Sequence, residues 1–345
     1  MRARGSGGEG VDVPGSDRGR SSSRRVSMAM VAERAGVSGQ TVSRVVNGSP
    51  RVDPDTRARV ETAMVELGYR PHRAARALRT GRSQTIGLVV TTLSTVGNSR
   101  MLQATAEAAA ERGYALTLVT AARGIGEAFD RLAEQEVDGA IVLNEASALV
   151  SDTERPSGLR LVVVDAPTEA GFASVHSDHA GGAAAATERL LELGHSTVHH
   201  LAGPADSFAA MERERGWRET LAAAGIDAPP VVRGDWSADS GHRAAAALTA
   251  ATAVFSANDQ MALGLLRALS DVGRRVPEDV SVIGFDDVPD AANYRPPLTT
   301  IRQDFTALAQ RAVSSLIDAI EGVSKARAAS VVGTELVERA STTSR

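Results

Sequence analysis

The chain has no cysteine, which excludes disulfides and thiolate metal sites. It has a single lysine, Lys325, so there is no Walker-type phosphate loop and lysine-based covalent catalysis is disfavoured. No apolar run approaches a membrane span, and the arginine-rich start lacks the apolar stretch of a secretory signal. These absences predict a cytoplasmic location, with no membrane partner. The chain does offer 345 residues with 43% hydrophobic content, more than one typical domain and enough for a sizeable core. Its net charge of −4 hides a polarity: residues 1 to 80 hold 15 Arg against 8 Asp or Glu, a balance of +7 that leaves −11 for the rest. Six of those arginines fall in residues 1 to 25, a Gly/Ser/Arg-rich stretch that reads as a disordered tail. A basic head on an acidic body concentrates attraction for phosphates, and predicts binding that weakens steeply with salt.

Within that head, local signals spell two helices and a turn. Ser27 caps a first predicted helix through Ala35, Gly36-Val37 makes the turn, and Ser38 caps a second helix to about Asn47. Val42, Val45 and Val46 fall on one face of the second helix, while Gln40, Arg44 and Asn47 recur at i, i+4 and i+7 on another. Gln and Arg present paired hydrogen-bonding groups that match adenine and guanine edges in the major groove of double-stranded DNA; Ser38, Thr41 and Ser43 are placed to reach phosphates or bases. Asp53 is expected to cap a third helix with Pro54 at its first position and Gly68 at its end, burying Val60, Met64 and Leu67. Beyond Tyr69-Arg70-Pro71-His72, the run Arg73 to Leu78 has high helix propensity but little to bury, so alone it is marginal.

The order V-A-x-x-A-G-V-S, Q-T-V-S-R-V-V-N, L-G-Y-R-P and A-L-R-T-G-R-S resembles the LacI/GalR family of bacterial transcription regulators. The resemblance implies that the short run is a hinge helix ordering on operator DNA, with Leu78 entering the minor groove as an apolar wedge and Ala75 permitting close approach. On residue pattern alone an exposed leucine is ordinary. The domains expected are the tail at 1–25, the helix-turn-helix at 26–70, a hinge helix and linker at 71–82, and a two-lobed body at 83–340.

From Thr85 onward buried apolar runs alternate with Ala/Leu-rich helical stretches. Ile86–Val90, Ala115–Val119, Gly139–Leu143 and Leu161–Val164 form one set; Val198–Leu201, Ala253–Phe255 and Val280–Ile283 form another. Such βα repetition predicts two lobes with parallel sheets covered on both faces, an α/β body behind an all-α head. Ligands in such folds sit beyond the carboxyl ends of strands. Asp165, Asn258-Asp259 and Asp286-Asp287 occupy such ends, with Arg213 in a charged helix and Trp236 in G-D-W-S. Carboxylates, an amide and a guanidinium pair with adjacent sugar hydroxyls, and an indole covers a pyranose face. The competing assignments are helix capping for Asp259 and Asp287, and a core position for Trp236.

The resemblance extends through G-D-W-S-x-x-S-G, A-N-D-Q-M-A-L-G, G-x-D-D and Y-x-P-P-L-T-T-I-x-Q-D-F, and within the family it leans to the lactose-responsive branch. It implies that Asp165, Arg213, Asn258 and Asp286 contact the effector, that Trp236 stacks on it, and that Gln303 and Phe305 lie near the lobe crossover. A periplasmic-binding-protein-like body, a galactoside effector and a repressor role follow, with another carbohydrate or an activator role as the alternative. No cofactor is expected. Gly39 stands where that branch opens its reading helix with tyrosine, and His72 replaces the usual asparagine before the hinge. The sequence reaches Arg345 without an apolar heptad tail, which predicts a homodimer whose twofold axis suits a palindromic operator. In the expected mechanism, sugar closes the lobes, shifts the dimer interface and disfavours pairing of the two hinge segments.

An enzyme is the rival class. His195, His199 and His200 cluster in G-H-S-T-V-H-H and are expected as solvent-facing side chains beside a strand, with no nucleophile or metal constellation around them. A transport-type sugar receptor shares the body but needs an export signal and no DNA head.

Overall fold

The computed structural model describes residues 26–46, 48–69, 81–150, 158–166, 172–323 and 329–345. The chain divides into two compact units, Met1–Ala75 and Arg76–Arg345. The first contains α1 (Met28–Ala35), α2 (Gly39–Val46) and α3 (Pro54–Leu67). Ser27 accepts the Met30 amide at 3.4 Å. Gly36 turns the chain at φ +64°, a conformation that Cβ-bearing residues resist. Ser38 accepts the Thr41 amide at 3.1 Å to start α2. Val31, Val42, Val45 and Val60 are buried, and Ala63 takes the place expected of Met64 and Leu67, which are only half-buried. Asp53 occupies the N-cap of α3, but its carboxylate makes no capping hydrogen bond; Pro54 and the left-handed Gly68 set the helix bounds instead. The tail 1–25, Asn47, the hinge residues Ala75 and Leu78, and Lys325 lie outside the described residues.

In the second unit, one sheet joins β1 (Thr85–Val90), β2 (Ala115–Thr120), β3 (Gly139–Leu143), β4 (Arg160–Val164), β5 (Ala173–Ser177) and β11 (Ser330–Val332) in the order β11-β5-β4-β3-β1-β2. Its neighbours pair in parallel. Successive residues feed opposite faces, the signature of a sheet covered on both sides. Ile86, Leu88 and Val90 pack with α4 (Val96–Glu111) and α11 (Phe305–Glu321), whereas Val89 and Val142 pack with α5 (Ile125–Glu134). A short α6 (Glu145–Ala148) follows β3.

The other sheet joins β6 (His199–Ala202), β7 (Val232–Arg233), β8 (Ala253–Ser256), β9 (Ser281–Asp286), β10 (Thr299–Gln303) and β12 (Thr334–Val337) in the order β12-β10-β9-β8-β6-β7. Helices α7 (His179–Glu192) and α8 (Phe208–Ala223) cover one face, α9 (Ala238–Ala244) and α10 (Asp259–Asp271) the other. β12 runs antiparallel to β10, so this otherwise parallel sheet carries one antiparallel edge.

The chain crosses between lobes after β5, after β10 and between β11 and β12, and the crossings are tied to one another. The Asp178 amide donates to Val332 O at 2.7 Å, and Thr334 Oγ1 donates to Asp178 O at 3.3 Å. Asp178 and Asp304 cap α7 and α11 through the amides of Gly181 and Ala307, at 2.9 and 2.8 Å. Three adjacent crossings with capped helices on either side form a hinge between the two lobes. Among the described residues no helix is long and apolar enough to cross a membrane.

Candidate functional site

Between the lobes lies a cavity of about 50 Å³, lined by Asp165, Arg213, Trp236, Asn258, Asp286, Gln303 and Phe305 among others. All seven effector residues expected from the sequence therefore face one cleft. They reach it from the ends of five strands, the body of α8 and the start of α11: Asp165 follows β4, Trp236 follows β7, Asn258 follows β8, Asp286 and Gln303 end β9 and β10, Arg213 lies within α8, and Phe305 starts α11. Space of this size holds roughly three or four waters rather than a disaccharide. Direct contacts already span the lobes: Trp236 Nε1 donates to Glu145 Oε1 at 3.1 Å, and the Val96 amide donates to Gln260 Oε1 at 3.0 Å.

A relay of charges runs through the cleft. Arg213, 4% exposed, has its guanidinium 3.8 Å from the Phe285 ring centroid and 3.6 Å from Asp286 Oδ1, and it donates to Ala257 O. Its Nε donates to His179 Nδ1 at 3.4 Å, which leaves the imidazole proton on Nε2, 2.9 Å from Asp165 Oδ1. The ring so placed links a cation of the second lobe to a carboxylate of the first. Burial opposes ionisation of Asp165, but His179 and Arg213 outweigh it and hold the carboxyl below its ordinary value. At Asp286 burial prevails and raises the pKa, despite Arg213 and a 2.6 Å hydrogen bond from Gln303 Nε2. Burial lowers the Arg213 pKa, with Asp286 and Asp165 opposing it.

Backbone strain gathers at the same place. Among the described residues, seven that are not glycine have positive φ, and Asn144, Asp165, Trp236 and Asp286 among them line the cavity. Left-handed backbone at such residues costs free energy and persists where the surroundings fix it, typically at ligand sites. The Trp236 turn is held by Asn258, whose Nδ2 donates to Trp236 O at 3.0 Å while its Oδ1 caps α10 through the Met261 amide at 2.9 Å. The indole lies against Gly203, where an added Cβ would stand 2.3 Å from the ring.

In the first unit Gln40 and Arg44 are exposed on α2, and Thr41 and Ser43 are half-exposed. Ser38 is exposed and its hydroxyl lies 3.0 Å from Thr41 Oγ1, so both belong to the cap as well as to the surface.

Several expectations need correction. Neither Asp259 nor Asp287 caps a helix: Asn258 is the cap of α10. Asp259 is buried, accepting Thr300 Oγ1 at 2.6 Å and the Val288 amide at 2.9 Å, and burial together with Asp286 raises its pKa well above the ordinary value. Asp287 pairs with Arg302 and Arg339 at 2.8 and 2.6 Å. His195 and His200 are buried rather than solvent-facing, and His199 is half-buried. His200 stacks on Phe255 at 4.8 Å because β6 pairs directly with β8, and desolvation drives its pKa down to about 4. Asn144, Glu145 and His179 were missed. Asn144 is the first polar residue after a predicted strand, the same signal that marked Asp165. His179 begins a helix, and nothing local marks its partners.

Residues 27–72 match the family described as bacterial regulatory proteins, lacI family, and residues 187–342 match a periplasmic binding protein-like domain. The HTH-type transcriptional regulator CelR of Thermobifida fusca is 39% identical over 346 residues, covering 92% of this chain and 98% of the relative. A crystal structure of the lac repressor dimer bound to operator and the anti-inducer ONPF shares 34% identity at a TM-score of 0.81, covering 93% of this chain and all of that one. A CelR–cellobiose complex shares 35% identity at a TM-score of 0.67, covering 92% of this chain and all of that one. With its helix-turn-helix, its two-lobed body and relatives that match nearly end to end, the chain belongs to the LacI family of bacterial regulatory proteins.

Proposed function

We propose that the chain is a transcriptional repressor that binds a palindromic operator as a homodimer and releases it when a small carbohydrate occupies the cleft. The observation that carries the effector part is the convergence of Asp165, Arg213, Trp236, Asn258, Asp286, Gln303 and Phe305, from both lobes, on one cavity with polar side chains and an aromatic wall. Buried carboxylates, an amide and a guanidinium around an indole match the alternating hydroxyls and apolar face of a pyranose. Gln40 and Arg44 read base edges, with Ser38, Thr41, Ser43 and Asn47 as phosphate or base contacts and Ala75 and Leu78 as the minor-groove element.

A galactoside is the effector expected from the sequence. A β-linked glucoside competes with it, because the relative CelR has been crystallised with cellobiose. The small cavity and the direct Trp236–Glu145 bond support a cycle in which the lobes part to admit the sugar and close over it. A coupling of roughly 1 to 3 kcal/mol between sugar and operator is typical of such links, and reciprocity requires operator to weaken sugar binding by the same factor. In the test, palindromic fragments selected from random DNA are titrated with the full chain at two salt concentrations, with and without cellobiose or lactose. A salt-sensitive complex that one sugar weakens is expected. Equal operator affinity with either sugar present removes the carbohydrate reading, and no preference over random DNA removes the regulator.

A further inference from the structure

Two acceptor oxygens on the first lobe's wall of the cleft have no hydrogen-bond partner among the described residues: Glu145 Oε2 and Asn144 Oδ1, both buried. The Asn144 amide cannot turn to relieve this. Asn98 Nδ2 donates to Thr92 O at 3.0 Å, which presents Asn98 Oδ1 to Asn144 Nδ2 and leaves the Asn144 oxygen free. Glu145 uses its other oxygen, Oε1, to accept the indole N–H of Trp236 from the opposite lobe. The nearby guanidinium of Arg213 is committed to His179, Ala257 O and Asp286. An acceptor buried without a donor is costly, and a carboxylate oxygen more so than an amide oxygen. A ligand that brings O–H donors to this wall removes that cost when the cleft closes.

We propose that Glu145 is an effector-recognition residue: Oε2 accepts a hydroxyl of the bound carbohydrate while Oε1 keeps the Trp236 indole in place across the cleft. The inference rests on the carbohydrate reading above and adds to it the side chain by which the first lobe senses occupancy. One carboxylate thereby joins ligand, first lobe and second lobe, so sugar binding and lobe closure reinforce each other at this residue.

The test is calorimetric titration of the full chain and of its Glu145→Ala and Glu145→Gln variants with cellobiose, lactose and their monodeoxy derivatives, with thermal melting to verify that each variant is folded. Glu145→Ala is expected to weaken the preferred sugar by about tenfold or more, the loss typical of a hydrogen bond to a charged group, and Glu145→Gln by less. One monodeoxy sugar should bind the wild type more weakly by a similar factor, yet bind Glu145→Ala no more weakly than the parent sugar does. A purely structural role for Glu145 would not produce that non-additivity. If both variants bind the parent sugar as tightly as wild type, or if every deoxygenation carries the same penalty in wild type and Glu145→Ala, the proposal is overturned while the carbohydrate reading stands. If neither sugar binds wild type, the carbohydrate reading fails and the proposal goes with it.

Discussion

Arg44 and Arg213 show how differently the two units use a guanidinium. Arg44 is exposed on α2, a helix that packs through Val42 and Val45, so its head group is spare to the fold. Arg213 is buried, laid over Phe285, and bonded to His179 and Ala257 O beside Asp286. In the first unit the residues proposed to read DNA and the residues that pack are different side chains. In the body the residues proposed to bind the effector also balance buried charge and hold strained turns. Recognition and stability should therefore separate in one unit and remain joined in the other.

Arg213→Ala tests the joined case with the largest expected effect. It leaves Asp286 and Asp165 buried without their shared cation, and breaking a buried ion pair from one side costs about 3–5 kcal/mol. Calorimetric melting of the body should show that loss, together with loss of sugar binding. A variant that melts like wild type while failing to bind sugar would show that the cleft is as separable as the reading helix.

A purely structural histidine gives the control within the body. His200 Nδ1 donates to Phe255 O at 3.0 Å and its buried Nε2 has no hydrogen-bond partner among the described residues, so the folded protein resists protonating it. Its pKa, near 6.5 in an unfolded chain, falls to about 4. Below pH 6.5 the unfolded chain takes up a proton that the folded one does not, so stability is intact above 6.5 and declines as the pH falls toward 4. The total is roughly 3 kcal/mol, by linkage over that interval. Denaturant titration across pH 7 to 4 should show a shallower decline in His200→Gln, with sugar affinity at neutral pH unchanged. An equal slope in the two proteins would remove His200 as the cause.

The same contrast governs what could be read from the amino-acid order. Helix periodicity and caps are local, so Ser38, Gln40, Arg44 and the valine face were legible without any partner. In the body the alternation of apolar runs gave β1, β3 and β8 nearly to the residue. It missed β5 and β10, whose A-S-V-H-S and T-T-I-R-Q carry polar residues into the sheet. The cleft residues proposed for binding came from strand ends and from the family resemblance. The link from Asp165 through His179 to Arg213 joins residues from three separate elements, and only the folded arrangement brings them together. The histidines of β6 were misjudged for the same reason, since the pairing of β6 with β8 decides their burial.

Arg44→Ala examines the separable case. Loss of a paired contact to a base is expected to remove about 1–3 kcal/mol of discrimination at one operator position. Competition against single-base operator variants would measure it, and the melting curve and sugar affinity should match wild type. A shift in either would mean that Arg44 also serves the fold.

The smallest effect concerns two helix caps that do the same local job in the two units. Ser38 accepts the Thr41 amide in α2, and Asn258 accepts the Met261 amide in α10. Replacing either by alanine removes a cap worth about 1 kcal/mol, which amide hydrogen exchange reports as faster opening of the first turn of that helix. For Ser38→Ala the consequence should stop there, apart from weaker DNA binding by a similar or smaller amount, with sugar affinity untouched. Asn258→Ala also releases the carbonyl of Trp236, whose φ of +72° depends on that support. Its exchange change should therefore spread to the loop that carries the indole, and sugar affinity should fall by more than the cap alone accounts for. If the two variants instead differ only in which helix frays, the cap in the body is as independent of recognition as the cap in the head, and the coupling attributed to the cleft must be carried by Arg213 and its ionic neighbours.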